Sequence, residues 1–207
     1  MFNKGVLAII LSILVGISIV NYMDNQEIKS QLSNIGQFTT RSNKILEAFS
    51  QFTIELSKAV EQEQMRTQTL ETLTCMTQNL YFEGGNQDYQ SKLAIAQIVR
   101  ERQEKPKYPN NICGVVKQKK WHKGRWVGQF SWFTDGKPDT KPTNKVELIA
   151  WNKSREVAQA MIIGDFNRDP DLIGATLYHA YYVKPDWDWS KTRYIKQVGD
   201  HLFYEEI

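Results

Sequence analysis

The first pattern along the chain is an uncharged apolar stretch over residues 5–22, GVLAIILSILVGISIVNY. At about 1.5 Å per residue, a helix of this length nearly crosses a hydrocarbon core of about 30 Å. Lys4 precedes the stretch and acidic residues follow it, a charge order that predicts a cytoplasmic N-terminus and an exported remainder. No small-residue cleavage site follows the stretch, so we interpret residues 1–24 as a retained signal anchor rather than a cleaved signal peptide.

The next segment, residues 25–72, continues with apolar residues in a four-three spacing. The apolar positions of this register are Ile28, Leu32, Ile35, Leu46, Phe49, Leu56, Val60 and Leu70. Polar residues such as Thr39, Ser42 and Glu63 occupy other positions of the same register. The spacing predicts a helical stalk with an irregular heptad pattern. A parallel coiled coil, which would make the chain a homo-oligomer, and a single amphipathic helix both fit it.

The stretch LTCMTQNLYFEGG, residues 73–85, has the pattern of a helix end. One side of that helix carries Leu73, Met76, Leu80 and Glu83. We expect Gly84 and Gly85 to stop the helix by adopting left-handed backbone angles. Desolvation beside apolar neighbours and the partial negative charge of a helix C-terminus both raise the pKa of a carboxyl group. Glu83 is therefore a candidate general acid, although an ordinary solvent-facing Glu at a helix end fits the same pattern.

Further helices are predicted in residues 73–207. One is capped by Asp88 and ends before Pro106, and a short one follows Asn110 or Asn111. A long helix starts at Pro142 and ends at Gly164, with Val146, Ile149, Ala150, Val157, Met161 and Ile162 on its core face.

Strand patterns occupy the remaining parts of this segment. QFSWFTDGK (129–137) and TLYHAYYV (176–183) alternate apolar and polar positions, and a terminal hairpin turns at Gly199 and Asp200. KQKKWHKGRW (117–126) is predicted as a basic loop, able to meet anionic peptidoglycan or lipid headgroups or simply to be solvated. Together these elements predict a mainly helical α+β domain with short antiparallel strands.

Charge and composition narrow the function classes. The chain has 26 basic and 23 acidic residues, and this net charge of +3 is too small to indicate nucleic-acid binding. Its three histidines, His122, His179 and His201, include no pair at metal-ligand spacing on one helix. Two cysteines are too few for a metal site built from cysteine ligands. We therefore expect neither a metal nor another cofactor.

Several blocks of the sequence occur in the order found in one known family. They are CMTQNLYFEGG, KLAIAQIVRER, YPNNICGVVKQ, QFSWFTDGK, ATLYHAYYVKPDW and VGDHLFY. Over residues 74–204 the chain resembles the SleB-type cell wall hydrolases, which include spore-cortex-lytic enzymes and many phage lysis proteins. Several blocks in order are a far more specific signal than any one of them.

The resemblance implies a lysozyme-like fold and a lytic transglycosylase that cuts peptidoglycan between N-acetylmuramic acid and N-acetylglucosamine. Glu83 takes the position of the family's catalytic glutamate. By the same resemblance Ser131, Trp132, Asp135, Tyr178 and His179 are substrate-binding candidates, although Trp132 also fits a core position and Asp135 a turn. With the anchor, this layout predicts an endolysin-like protein of phage origin, single-pass in the inner membrane, with residues 73–207 on the periplasmic side. A bacterial wall-remodelling enzyme would have the same layout.

This chain departs from the family pattern in places. Gly85 and Gln87 replace the Arg and the second acid that usually follow the catalytic Glu, and residues 119–127 are similar to an insertion. Cys75 and Cys113 are a possible disulfide pair outside the cytoplasm. Two other functions fit the sequence: a zinc amidase that cuts the stem peptide, and a peptidoglycan-binding envelope or virion protein without catalysis.

Overall fold

The structure, a computed structural model, describes residues 4–164 and 166–207. The chain divides into two units, residues 1–63 and 64–207. Helix α1 (Lys4–Gly84) contributes to both units. The predicted anchor and stalk are both helical, as their spacing indicated. The division into 1–24, 25–72 and 73–207 stays a prediction, and the amino terminus used to orient the anchor lies outside the described residues.

The first unit is one stretch of α1 whose apolar side chains are exposed. Ile10, Leu14 and Ile19 of the anchor and Leu32 and Phe49 of the stalk all face outward. Among the described residues, α1 is the one helix long and apolar enough to cross a membrane. This finding rests on the length and composition of the helix alone, and signal sequences meet the same criteria.

The second unit contains the C-terminal part of α1 and all the other elements. Three further helices are α2 (Tyr89–Gln103), α3 (Ile112–Val116) and α4 (Lys145–Ile163). Strands β1 (Lys119–His122) and β2 (Arg125–Gly128) form a hairpin, and β3 (Leu177–Ala180), β4 (Thr192–Val198) and β5 (His201–Glu206) form an antiparallel sheet in the order β3–β5–β4. This unit is mainly helical with short antiparallel strands, which confirms the predicted class.

Helix α2 lies at the centre of the second unit because two of its sides are apolar. Ile95 and Val99 pack in one buried cluster with residues of α1, α3 and α4. Ala94 and Ile98 pack in a second cluster with Phe203 of the sheet. The helix therefore holds α1 on one side and the sheet on the other.

The predicted caps and turns hold with small shifts. Asp88 caps α2 and Asn111 caps α3, each accepting a backbone hydrogen bond from the first turn. The long helix begins at Lys145 rather than Pro142, because Asn144 provides its cap. Gly164, with φ of 82°, ends it in the left-handed region as expected.

Two predicted elements were wrong. Residues 129–137 contain a 3₁₀ helix, Ser131–Thr134, instead of a strand. Phe130 and Trp132 are both buried, and two inward side chains at this spacing suit a tight turn as well as a strand. The predicted basic loop is the β1–β2 hairpin, which turns at Lys123 and Gly124 with φ of 47° and 82°.

The ends of two other predicted elements also needed correction. The strand in TLYHAYYV ends at Ala180, where Val183 N–H donates to the Ala180 carbonyl and turns the chain. Gly84 and Gly85 do not adopt positive φ. Space requires glycine at Gly85, where a Cβ would lie 2.8 Å from the Tyr81 carbonyl oxygen, and at Gly84 a Cβ would make a tight contact of 3.0 Å with Ile95 Cδ1.

A disulfide joins Cys75 of α1 to Cys113 of α3, with Cα atoms 5.3 Å apart and a sequence separation of 38. Closing a loop of this length restricts the unfolded chain and stabilises the folded one by about 2–4 kcal/mol. Within the second unit, the bond therefore ties the C-terminal part of α1, which carries Glu83, to α3.

We expect Cys75→Ser with Cys113→Ser to lower the free energy of unfolding of the second unit by about 2–4 kcal/mol. Thermal unfolding of the full chain in detergent, with and without a reducing agent, measures this. The reductant should lower the Tm of the wild-type chain and leave the double variant unchanged. Equal responses of the two proteins would contradict the assignment.

Candidate active site

Glu83 lies one residue before the end of α1, where that helix meets α2 and the sheet. Met76 and Leu80, on the same side of α1, are fully buried in the larger core cluster. Their burial fixes the rotation of the helix and turns Glu83 toward the interior, where its side chain is only partly exposed. The prediction of a carboxyl group aimed along the apolar face is confirmed.

Tyr178 of β3 holds the Glu83 carboxyl group. Its hydroxyl donates a hydrogen bond to Glu83 Oε2 at 3.0 Å. The Tyr178 ring stacks on Phe203 at 5.7 Å and meets the edge of His201 at 5.3 Å between centroids. Because the sheet fixes this ring from two sides, the hydroxyl is positioned by the fold rather than by Glu83 itself.

The electrostatic environment of Glu83 contains opposing influences. Burial raises the pKa of Glu83 above its ordinary value, and the Tyr178 hydrogen bond and the positive charge of Arg102 partly counter that rise. Burial and the Glu83 charge raise the pKa of Tyr178 well above its ordinary value. Tyr178 is thus a hydrogen-bond donor throughout the pH range in which Glu83 titrates.

Arg102 of α2 is a buried cation beside this pair. Its Nε donates to the Thr176 carbonyl oxygen at 2.8 Å, and its guanidinium lies 5.0 Å from the centroid of the Phe130 ring. Arg102 lines the same cavity as Glu83 and Tyr178. Arg102 was not predicted as a site residue, because nothing in the neighbouring sequence distinguishes it from the other cations of α2.

Lys92 of α2 donates hydrogen bonds to the carbonyl groups at the C-terminal end of α1. It is 1% exposed, and its Nζ donates to the carbonyl oxygens of Leu80 at 3.3 Å and Gly85 at 3.4 Å, and also to that of Gly84. Burial, with a smaller effect of the Lys153 charge, lowers the pKa of Lys92 to about 8. The last carbonyls of a helix need donors from outside the helix, and Lys92 supplies them immediately next to Glu83.

Glu83 lines two cavities. One, of about 420 Å³, is bordered by Arg102, Ser131, Tyr178, His179 and Trp187. The other, of about 470 Å³, is bordered by Gln87, Val146, Glu147 and Ala150. Phe82 and Tyr182 line both cavities together with Glu83. The carboxyl group therefore has open space on two sides, as an extended ligand that passes across it would require.

Three of the predicted substrate-binding residues lie in one cavity with Glu83: Ser131, Tyr178 and His179. The His179 ring is held in place, since Nδ1–H donates to the Ala180 carbonyl oxygen at 2.9 Å and Nε2 accepts from the Tyr204 hydroxyl at 3.1 Å. With both nitrogens engaged, His179 offers a ring surface to this cavity.

The structure does not bring Trp132 and Asp135 to either cavity wall. Trp132 is 6% exposed, stacks on Phe82 at 4.9 Å and donates from Nε1 to Asn79 Oδ1 at 3.2 Å. It supports Phe82 from the core. Asp135 follows the 3₁₀ helix and accepts a hydrogen bond from the Lys137 N–H at 2.9 Å, a turn-forming role.

Glu147 of α4 is a second carboxylate that sequence reasoning missed as a site residue. It lines the 470 Å³ cavity with Glu83. Its backbone N–H donates to Asn144 Oδ1 and its carboxylate accepts from Asn144 Nδ2, so it takes part in the N-terminal cap of α4. The cap is readable from the sequence, but the placement of Glu147 on the wall of this cavity depends on how α4 packs.

Comparisons with known proteins agree in pointing to one family. Residues 86–204, a range that begins just after Glu83, match the Cell Wall Hydrolase family. The spore cortex-lytic enzyme of Halalkalibacterium halodurans is 26% identical over 133 residues, 62% of this chain and 33% of the relative. That of Bacillus subtilis is 25% identical over 136 residues, 63% of this chain and 36% of the relative. The chain thus spans about a third of the length of these relatives.

A solved structure was also found. The catalytic domain of the germination-specific lytic transglycosylase SleB from Bacillus anthracis aligns with a TM-score of 0.48 at 21% identity. The alignment covers 64% of this chain and 92% of that chain.

Replacing Tyr178 with Phe tests the environment of Glu83. The substitution keeps the ring and removes the hydroxyl whose hydrogen bond favours the carboxylate. We therefore expect the pKa of Glu83 to rise further above its ordinary range. Carbon-13 NMR titration of the Glu83 carboxyl signal, assigned by its absence from Glu83→Gln, measures the change. The exposed Tyr89 offers a control, Tyr89→Phe, and an unchanged or lower pKa in Tyr178→Phe would contradict the expectation.

Proposed function

Because this chain belongs to the cell wall hydrolase family, we propose that it degrades peptidoglycan by cutting glycan strands across Glu83. The observation that carries the proposal is the position of Glu83 between two cavities, in a site where burial raises the pKa of the carboxyl group. A carboxyl group with a raised pKa suits general acid catalysis at a glycosidic oxygen. A lysozyme-like arrangement of the second unit is part of the same proposal.

The proposed reaction is that of a lytic transglycosylase. Protonated Glu83 gives its proton to the oxygen that bridges N-acetylmuramic acid and N-acetylglucosamine, and the bond from that oxygen to muramoyl C1 breaks. The muramoyl 6-hydroxyl oxygen then bonds to C1, and its proton passes to Glu83. The products are a 1,6-anhydro sugar and a free leaving sugar, and no water is consumed.

Tyr178 and Arg102 suit the second half of this cycle. Once Glu83 has lost its proton, the carboxylate keeps the Tyr178 hydrogen bond and feels the charge of Arg102. Both favour the anion, so they stabilise the state from which Glu83 must act as a base. One carboxyl group then serves first as acid and later as base. Burial favours its protonated form, and Tyr178 and Arg102 favour its charged form.

Hydrolysis is the alternative outcome at the same site. A hydrolase needs a second carboxylate to activate water or to attack the sugar. Asp135, a substrate-binding candidate from the sequence, makes a turn and lines neither cavity. Glu147, which lines a cavity with Glu83, is the better candidate for that role.

The two other functions predict different results at this site. A zinc amidase would release stem peptides and lose activity with chelators, whereas a transglycosylase would be insensitive to them. Within the described part of the chain, no group of three or more His, Cys, Asp and Glu side chains is placed to hold a metal ion. A non-catalytic binding protein would retain sacculi and release nothing.

We also propose that the chain is a single-pass protein of the inner membrane, with the second unit on the periplasmic side. The apolar part of α1 supports the membrane segment, and the disulfide suits an oxidising compartment outside the cytoplasm. Host lysis by a phage protein remains our expectation for its biological role, and pairing of copies through residues 25–72 remains a prediction.

Glu83→Gln is expected to abolish cleavage, with a loss of at least about 10²-fold in rate, because the amide cannot donate the proton. The full chain in detergent is incubated with purified sacculi, and the soluble products are identified by mass spectrometry. The wild-type chain should release anhydro-muropeptides, with activity that falls as pH rises through the raised pKa of Glu83.

The matched control is Glu156→Gln, the same change at an exposed position of α4, which should leave the rate intact. Reducing-end products from the wild type would replace the transglycosylase by a hydrolase and make Glu147→Gln the next variant. Free stem peptides, or activity retained in Glu83→Gln, would refute the assignment of Glu83.

Leu11→Arg with Leu14→Arg tests the membrane segment. Each arginine near the centre of a membrane helix costs about 2.5–3.5 kcal/mol on insertion scales, so the variant should leave the membrane fraction. The measurement is the share of protein retained in membranes after an alkaline carbonate wash. Leu46→Arg with Phe49→Arg, in the exposed stalk, is the control. Equal retention of the two variants in the membrane fraction would contradict the assignment of residues 5–22 as a membrane segment.

A further inference from the structure

The β1–β2 hairpin exposes two tryptophans that no core requires. Trp121 and Trp126 are paired across the two strands and lie on one face of the ribbon, with ring centroids 5.4 Å apart. They are 62% and 54% exposed. Lys119 Nζ lies 5.3 Å from the centroid of the Trp126 ring. Large aromatic side chains this exposed are costly to keep in water, and paired ones mark a contact surface.

The same hairpin is strongly cationic. Residues 117–126 include five Lys or Arg residues and no Asp or Glu, and the nearest acidic residues in the sequence are Glu104 and Asp135. Lys120 and Arg125 lie on the face opposite the tryptophans, and Lys123 forms the tip. The hairpin thus offers a ring surface on one face and positive charge on the other and at its end, which suits an anionic ligand with apolar parts.

The hairpin is continuous with the wall of the 420 Å³ cavity. Strand β2 ends at Gly128, whose N–H donates to Thr134 Oγ1 at 2.9 Å. The next N–H, of Gln129, donates to the Gln118 carbonyl oxygen at 2.7 Å. Gln129 and the two residues after it line the cavity that contains Glu83. At about 3.3 Å per residue, Trp126 lies only about 10 Å of chain from that wall.

We propose that this hairpin is a second binding site for the peptidoglycan polymer, which takes carboxylates of the stem peptides beside the groove. The inference rests on the proposed function, since it assumes that the groove takes a glycan strand. The stem peptides branch from the muramic acid residues of that strand and carry free carboxylates. Lys120, Lys123 and Arg125 pair with these groups, and the tryptophan face packs against the sugar or peptide next to them.

An anionic lipid surface is the other ligand that Lys, Arg and Trp side chains could meet. The continuity of β2 with the cavity wall favours the polymer. A glycan strand that occupies the 420 Å³ cavity has to continue across the surface beside it. The base of the hairpin forms part of the wall of that cavity. A bilayer contact gives no reason for the hairpin to be rooted there.

The experiment measures binding of the full chain to purified sacculi, in detergent and with Glu83→Gln present in every protein so that no cleavage occurs. The test variant adds Lys120→Gln and Arg125→Gln, and its control adds Arg41→Gln and Lys44→Gln on the exposed stalk part of α1. We expect about three- to tenfold weaker binding for the hairpin variant and no change for the control.

Chemical amidation of the sacculus carboxylates provides the second arm. Binding of the chain with an intact hairpin should fall to the level of the hairpin variant, which should itself be little affected. Trp121→Ala with Trp126→Ala should weaken binding to intact and amidated sacculi alike. Unchanged binding of the hairpin variant, or equal sensitivity of both proteins to amidation, would overturn the proposal.

The lipid alternative has its own readout. The same proteins in nanodiscs are compared with and without phosphatidylglycerol, by tryptophan fluorescence. A blue shift that depends on the hairpin and on the anionic lipid, without a hairpin effect on sacculi, would assign the hairpin to the membrane and sink the polymer proposal. Because every arm reads binding and not cleavage, a failure of Glu83 as the acid is seen separately, in the products of the wild-type chain.

Discussion

The hydrogen bond between Tyr178 and Glu83 joins residues 95 positions apart, and the rest of the second unit is arranged so that it can form. Glu83 reaches the interior because Met76 and Leu80 are buried on the same side of α1. Tyr178 reaches Glu83 because β3 pairs with β5 and its ring packs on Phe203. Helix α2 stands between these two partners and packs on both, so that its position sets the distance between them.

The end of α1 creates a second constraint, because its last carbonyl groups are buried and need donors. Lys92 meets this need from α2 with one ammonium group. The cost is a buried cation whose pKa falls to about 8. The gain is a helix end that is fixed immediately beside a functional carboxyl group, a position where an unsupported helix would fray.

Local patterns predicted the elements that are decided locally. Helical periodicity predicted Glu83 on the buried side of α1, and glycine predicted the end of α4 at Gly164 and the last turn at Gly199. These features are decided by burial and turn chemistry over a few residues. The strand predicted at 129–137 failed, since alternating burial also fits a 3₁₀ turn. The hairpin at 119–128 was missed because its side chains are mostly polar and its pairing rests on a turn in which Lys123 takes positive φ. Arg102 and Glu147 could not be predicted as site residues, because only packing between distant elements brings Arg102 near Glu83 and places Glu147 on the wall of a cavity that Glu83 also lines.

The balance around Glu83 explains why one carboxyl group can suffice for the proposed reaction. An acid that is only buried gives up its proton with difficulty, and one that is only paired with cations has lost it before substrate arrives. Here burial is the largest influence on the pKa of Glu83, and Tyr178 and Arg102 oppose it without reversing it. In the proposed reaction, the raised pKa favours the protonated acid, and the carboxylate formed after proton transfer keeps the Tyr178 hydrogen bond and the nearby charge of Arg102.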